Sequence, residues 1–152
     1  MKAKTVYTLF IYMAIVLGLA GCKNEDDIEE IFVGKTWYIT GGYVQGRPLA
    51  GDDLHTLCQS SQEYLVSFSQ DTFTGVLSGT TYAGKWEANG KKRSFRLEIR
   101  QEANPQSQLD RLIYSTMKNA TRYEGDSNII RLHADDGNYI NLSINRSPES
   151  II

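Results

Sequence analysis

The sequence is poor in the residues that build small stapled or metal-organised domains. It has two cysteines and two histidines in 152 residues. Two cysteines exclude a disulfide-framework miniprotein. His55 and His133 stand 78 positions apart with no ligand-rich neighbourhood, so no metal site is expected. Three prolines and a 22% charged fraction exclude a Pro-rich or highly charged disordered chain. The formal net charge is −2, which leaves no basic excess for wrapping nucleic acid. One domain is the expectation for this length.

The longest uncharged stretch is Val6 to Ala20, after Lys2 and Lys4. It is short for a span, which needs about 20 apolar residues, but fits a signal peptide. It runs into Leu19-Ala20-Gly21-Cys22. That tetrapeptide resembles the lipobox of bacterial lipoproteins. The resemblance implies a signal peptide over 1–21, cleavage before Cys22, and lipidation of the Cys22 sulfur and new amino terminus. Losing Lys2 and Lys4 leaves fourteen basic against eighteen acidic side chains, a net charge of −4. The run Lys23 to Glu30 holds five acids and reads as a solvated tether over 22–32. A lysine followed by acids directly after the lipidated cysteine also resembles the export tag of surface-displayed lipoproteins. The implied location is the bacterial outer membrane, lipid-anchored, facing out if the tag acts as one and otherwise facing the periplasm. With Cys22 lipidated, Cys58 is expected to be a small buried hydrophobe.

Beyond the tether the pattern is β. Gly34 to Thr40 is rich in strand formers, and Gly41-Gly42 marks a bend or bulge. Gly46 to Asp53 reads as loop, with a short helical turn over Leu54 to Cys58 capped by Asp52 or Asp53. Alternation then gives the inward sets Tyr64, Val66, Phe68; Phe73, Gly75, Leu77; Tyr82, Gly84, Trp86; and Phe95, Leu97, Ile99. Asn89-Gly90 predicts a hairpin turn with positive φ. Ser107 reads as an N-cap with Asp110 three residues on. Leu109, Leu112, Ile113, Thr116, Met117 and Ala120 form the stripe of an amphipathic helix. Ile130 to Ala134 and Ile140 to Ile144 close the chain around an Asp136-Gly137 turn. The expected fold is mainly β (α+β). It is an antiparallel meander of six or seven strands curled into a small barrel-like sheet, with one helix before the last hairpin. It would span 33–146, with a loose tail at 147–152.

Gly34 to Thr40, the Tyr82 to Gly90 segment, and the helix-plus-hairpin run from Leu112 to Ile144 together resemble META-domain envelope proteins. The first strand also resembles that of lipocalin-like small lipoproteins. Neither resemblance supplies a catalytic residue, a cofactor or a metal.

Motif by motif, the sequence offers little chemistry. Asp135-Asp136 and Asp52-Asp53 read as turn and cap residues rather than cation ligands. Ser60-Ser61 have no identifiable base. Cys58 and His55 could share a helical face, and Glu87 and Glu98 lie across a hairpin, but both pairs fit a bland structural role better than nucleophilic or glycosidase chemistry. Lys91-Lys92-Arg93, with Arg96 and Arg100, is the one basic cluster, suited to anionic glycans or lipid headgroups or simply to solubility. Asn119, Asn141 and Asn145 begin Asn-x-Ser/Thr triplets that matter only in a eukaryotic secretory path. Trp37 and Trp86 are expected in the core. The functional expectation is a lipid-anchored, non-catalytic envelope protein. Its partners would be the membrane through the anchor and an envelope protein, a glycan or a small apolar ligand, with no nucleic acid. The alternative is a lipocalin-like carrier of a small apolar molecule, which would need a hollow barrel.

Overall fold

The computed structural model describes residues 25–59 and 62–146. The signal peptide expected over 1–21, Cys22 and the loose tail expected at 147–152 lie outside the described residues. In chain order the elements are α1 (Ile28–Phe32), β1 (Thr36–Val44), β2 (Arg47–Pro48), α2 (Asp52–Gln59), β3 (Leu65–Phe68), β4 (Thr72–Val76), β5 (Thr81–Asn89), β6 (Ser94–Gln101), α3 (Gln108–Lys118), β7 (Ala120–Gly125), β8 (Ile129–Ala134) and β9 (Tyr139–Ser143). Every pairing between these strands is antiparallel; β1 lies beside β3, and from β3 to β9 each strand pairs with the next in the chain. Pairing of β1 with β9, from Tyr38↔Ser143 to Tyr43↔Tyr139, closes eight strands into a barrel. The two-residue β2 hangs on the edge of β1 through Tyr43↔Pro48 and Val44↔Arg47. Closure removes the exposed edges that a meander would otherwise present.

The strand count exceeds the six or seven expected, for identifiable reasons. β1 runs on through Gly41-Gly42 to Val44, with a register shift between Ile39 and Gly41, so the glycines bulge the strand without ending it. β7 escapes the alternation because the register shifts between Ala120 and Arg122. Its buried residues, Ala120 and Tyr123, are therefore three apart instead of two.

The domain also starts earlier than expected. The segment read as a tether contains α1, which Asp27 caps by accepting a hydrogen bond from the Glu30 amide. Glu29 and Glu30 stay in solvent, while Ile31 and Phe32 are buried. Asp26 is fixed as well. Its Oδ2 accepts from Tyr123 Oη at 2.7 Å and lies 3.3 Å from Arg93 Nε. Packed contacts of the barrel thus reach back as far as Asp26.

The Asn89-Gly90 turn differs in mechanism from its expectation. Neither residue has positive φ; Arg93 does, at 54°. Asn89 Oδ1 instead accepts from the Lys91 and Lys92 amides. Gly90 is required by proximity, since a Cβ there would sit 2.1 Å from the Asp26 carbonyl oxygen.

Two helices close the two ends. At one end α1 inserts beside the β3, β6 and β7 termini. Lys35 Nζ holds it by donating to the Glu30, Ile31 and Ser127 carbonyls. At the other end lies α3, with Ser107 accepting from the Asp110 amide as the predicted N-cap. Leu109, Ile113, Thr116 and Met117 are buried as the stripe predicts, Leu112 is only half-buried, and Tyr114 is buried beyond expectation. The helix stops at Lys118, so Ala120 opens β7 instead of extending the stripe. The predicted helical turn became α2, with Asp52 and Asp53 in its first turn rather than capping it. Arg146 pins this helix by donating to the Leu57 and Glu63 carbonyls, with its guanidinium 4.5 Å from the Tyr38 ring centroid.

Candidate functional site

An eight-stranded barrel is just wide enough for its own side chains to fill or to hold one small ligand, and here large aromatic side chains are buried inside it. Phe32 is fully buried at the α1 end. Its ring lies 5.3 Å from Phe68, 5.1 Å from Trp86, 5.6 Å from Phe95 and 5.2 Å from Tyr123, between ring centroids. Its carbonyl accepts from the Trp37 indole at 3.2 Å, while the Trp86 indole donates to the Ser69 carbonyl at 2.8 Å. Both tryptophans are core residues. Toward the α3 end Tyr82 lies flat on β4. A Cβ at Gly75 would meet Tyr82 Cζ at 2.1 Å, so Gly75 is the glycine that lets a large side chain approach the sheet. Gly84 instead faces the Glu98 backbone carbonyl across a bulge.

The α3 end is organised by a residue that the sequence presents only as a capping acid. Asp110 is completely buried. Its Oδ1 accepts from Tyr64 Oη at 2.9 Å and from the Ser78 amide at 3.4 Å, and its Oδ2 accepts from the Gln106 amide at 3.2 Å. One carboxyl group thus ties α3, the entry to β3 and the β4–β5 turn. Tyr64 adopts a φ of 55°, uncommon for an aromatic residue, to reach it. Tyr114 Oη donates to Glu102 and accepts from the Ala103 amide.

These buried phenols titrate late. Burial, and then the bond to Asp110, push Tyr64 up to about 12. Burial, and then Glu102, push Tyr114 to about 12. Tyr82 is raised by burial, and Tyr123 by burial and then Asp26. In the unfolded chain a phenol ionises near pH 10. Above that pH the folded state binds more protons than the unfolded one, so stability is full below pH 10 and falls as pH rises toward 12. Tyr64 alone should account for a loss of at most roughly 2–3 kcal/mol across that window, reduced by solvent screening at its hydroxyl. Phenolate absorbance should therefore rise in two steps, the second coinciding with loss of the folded circular dichroism signal. A single step near pH 10 with the fold intact would contradict the buried hydroxyl contacts.

The titratable candidates do not converge. Among the described residues, no group of three or more His, Cys, Asp or Glu side chains is placed to hold a metal ion. His55 Nε2 sits 2.6 Å from Gln59 Nε2 on α2. Cys58, expected to be buried, is a half-buried free thiol on the same helix. Asp135 accepts from Thr121 on β7, and Asp136 accepts from the Asn138 amide within its own turn. Glu87 and Glu98 are exposed, paired 2.9 Å from Arg96 and 3.0 Å from Arg100. Ser60 and Ser61 lie outside the described residues. Asn119 bonds back to the Ser115 carbonyl, Asn141 accepts from Arg131 Nε, and the Asn145 amide donates to Ser143 Oγ.

The basic cluster is largely neutralised by neighbours. Arg93, Arg96 and Arg100 each face an acid, leaving Lys91 and Lys92 without an acidic partner among the described residues. On the barrel exterior an aromatic and ionic ladder crosses the closing strands. Tyr43 and Tyr139 stack at 5.7 Å, the Arg131 guanidinium lies 4.1 Å from the Tyr139 ring centroid, and His133 Nε2 lies 3.1 Å from Glu124 Oε2. Its rings and charges serve one another, which suits reinforcement of the β1–β9 seam. Three hollows of about 110, 500 and 710 Å³ open to solvent by Trp86 and Glu87, by Phe95 and Thr121, and by Glu63 and Thr80.

No match is found among curated proteins. The crystal structure of a DUF4847 family protein from Bacteroides vulgatus is similar, with a TM-score of 0.65 and 24% sequence identity over 80% of this chain and 99% of that one. At that identity the likeness speaks to the fold, and it agrees with the barrel. The family described as "Domain of unknown function (DUF4847)" matches residues 23–143, which include the Asp26 and α1 segment that the tether reading had excluded. The comparisons do not show the META-domain resemblance, and the chain belongs to the DUF4847 family.

Proposed function

We propose that the protein is a lipid-anchored, outer-surface envelope protein whose barrel is a non-catalytic binding or structural module. The observation that carries the second half is the occupied interior: Phe32, Trp37, Tyr82, Phe95 and Tyr123 take up the space that a carried ligand would need. Any partner, whether protein or glycan, then meets the outside of the barrel. The lipid half rests on the Leu19-Ala20-Gly21-Cys22 signature and on the basic and apolar segment before it. Several acyl chains on Cys22 would hold the domain at a membrane, where a single chain is marginal.

Cys22→Ser should abolish palmitate incorporation and move the protein from the membrane to the soluble fraction. Persistent labelling of that variant overturns the anchor. Orientation is tested by adding protease to intact cells, where digestion of the parent protein is expected and full protection contradicts outward display.

A further inference from the structure

We infer that the barrel stands on the membrane by its α1 end, with Lys91 and Lys92 of the β5–β6 turn against the headgroup phosphates of the leaflet that holds the lipid. This rests on the proposed lipidation of Cys22.

The argument begins with where the chain leaves the fold. Asp26 is fixed to the β5–β6 turn and to β7. Its amide donates to the Gly90 carbonyl at 3.4 Å, and its carboxyl takes Tyr123 Oη and faces Arg93. Its carbonyl packs so closely on Gly90 that no side chain fits there. Only four residue steps separate Asp26 from Cys22, which limits the gap to about 14 Å at full extension. The acidic stretch is thus too short, and too firmly fastened at its far end, to let the domain tumble freely above the bilayer. The end that carries α1 and the β5–β6 and β7–β8 turns must face the lipid. The other end, with α3 and the β1–β2 and β8–β9 turns, must point away.

Charge then selects which corner of that end touches. Glu25, Asp27, Glu29 and Glu30 are exposed around α1 and are repelled by headgroup phosphates. Lys35 is engaged with three carbonyls, and Arg93 with Asp26. Lys91 and Lys92 are exposed, have no acidic partner among the described residues, and follow directly on the glycine that Asp26 covers. Among the described residues they are the cations without an acidic partner that lie on the turn Asp26 covers, and lysine suits a layer of phosphates as a mobile point charge.

The test uses the acylated full chain in phosphatidylcholine–phosphatidylglycerol vesicles that contain a lipid spin-labelled at its headgroup. In a Cys58→Ser background, a fluorophore is placed at Lys91→Cys or, at the far end, at Arg47→Cys. A nine-residue strand tilted as in small barrels separates the ends by on the order of 20 Å. Quenching at position 91 should be at least about threefold stronger than at position 47, given that separation. Adding Lys92→Glu should lower quenching at position 91 by about twofold, as expected if that lysine meets phosphate. Equal or reversed quenching of the two probes on a chain with acylated Cys22 overturns the mounting and leaves the anchor standing. No effect of Lys92→Glu overturns the lysine contact. Absence of acyl mass on Cys22 overturns the anchor and the mounting together.

Discussion

Replacing Phe32 with alanine should lower the stability of the folded domain by about 3–5 kcal/mol, the usual cost of deleting a buried phenyl ring. The size follows from position. The ring is fully buried and touches Phe68, Trp86, Phe95 and Tyr123, which come from β3, β5, β6 and β7. The pairs with Phe68 and Tyr123 are edge-to-face, and aromatic pairs of this kind are worth about 0.5–1.5 kcal/mol each beyond the area they bury. The backbone carbonyl that accepts from Trp37 survives the substitution, so the loss reports the side chain. Glu29→Ala, on the solvent side of the same helix, should change stability by less than about 0.5 kcal/mol. A loss below about 1 kcal/mol for Phe32→Ala in denaturant melts would mean that α1 rests on the barrel without belonging to its core.

The second large effect is expected at Asp110. Asp110→Ala removes the acceptor of Tyr64 Oη and of the Ser78 and Gln106 amides at once. Each buried donor left unpaired costs about 1–3 kcal/mol, moderated where water can enter. The Ser78 and Gln106 contacts are only partly buried, so a net loss of about 2–4 kcal/mol is expected. Combined with Tyr64→Phe the losses should fall short of additive by about 1–2 kcal/mol, because both variants break the same bond. Strict additivity in a double-mutant cycle would show that the two groups do not act on each other.

The same two residues mark the limits of what the sequence discloses. Strands β3 to β6 alternate cleanly, because one face packs inward and the other is wet, and their inward sets are read directly. The α3 stripe and its Ser107 cap are equally local and equally legible. Phe32 was hidden because five acids around it outweigh one aromatic in any compositional view, although Asp27 three residues before Glu30 is an N-cap signal. Asp110 sits at the third helical position, where an acid ordinarily serves the helix end. Its turn toward Tyr64, 46 residues earlier in the chain, is a tertiary fact. β7 was lost to a bulge that breaks period two. Closure of the barrel depends on Tyr38 to Tyr43 meeting Tyr139 to Ser143, a pairing across about a hundred residues that no local pattern records. The site is illegible for a simpler reason. The function proposed for this domain needs no catalytic constellation, and a surface that binds through shape leaves no motif.

The central claim is that the barrel is full. Tryptophan fluorescence tests it most directly, because Trp86 lies among the rings around Phe32 and Trp37 donates to the Phe32 carbonyl. The protein, with Cys22→Ser for solubility, is titrated with fatty acids, haem and a hydrophobic dye. A close-packed interior has no room to respond, so no saturable change in emission is expected. A stoichiometric, saturable change that Trp86→Phe removes would contradict the account and make the protein a carrier.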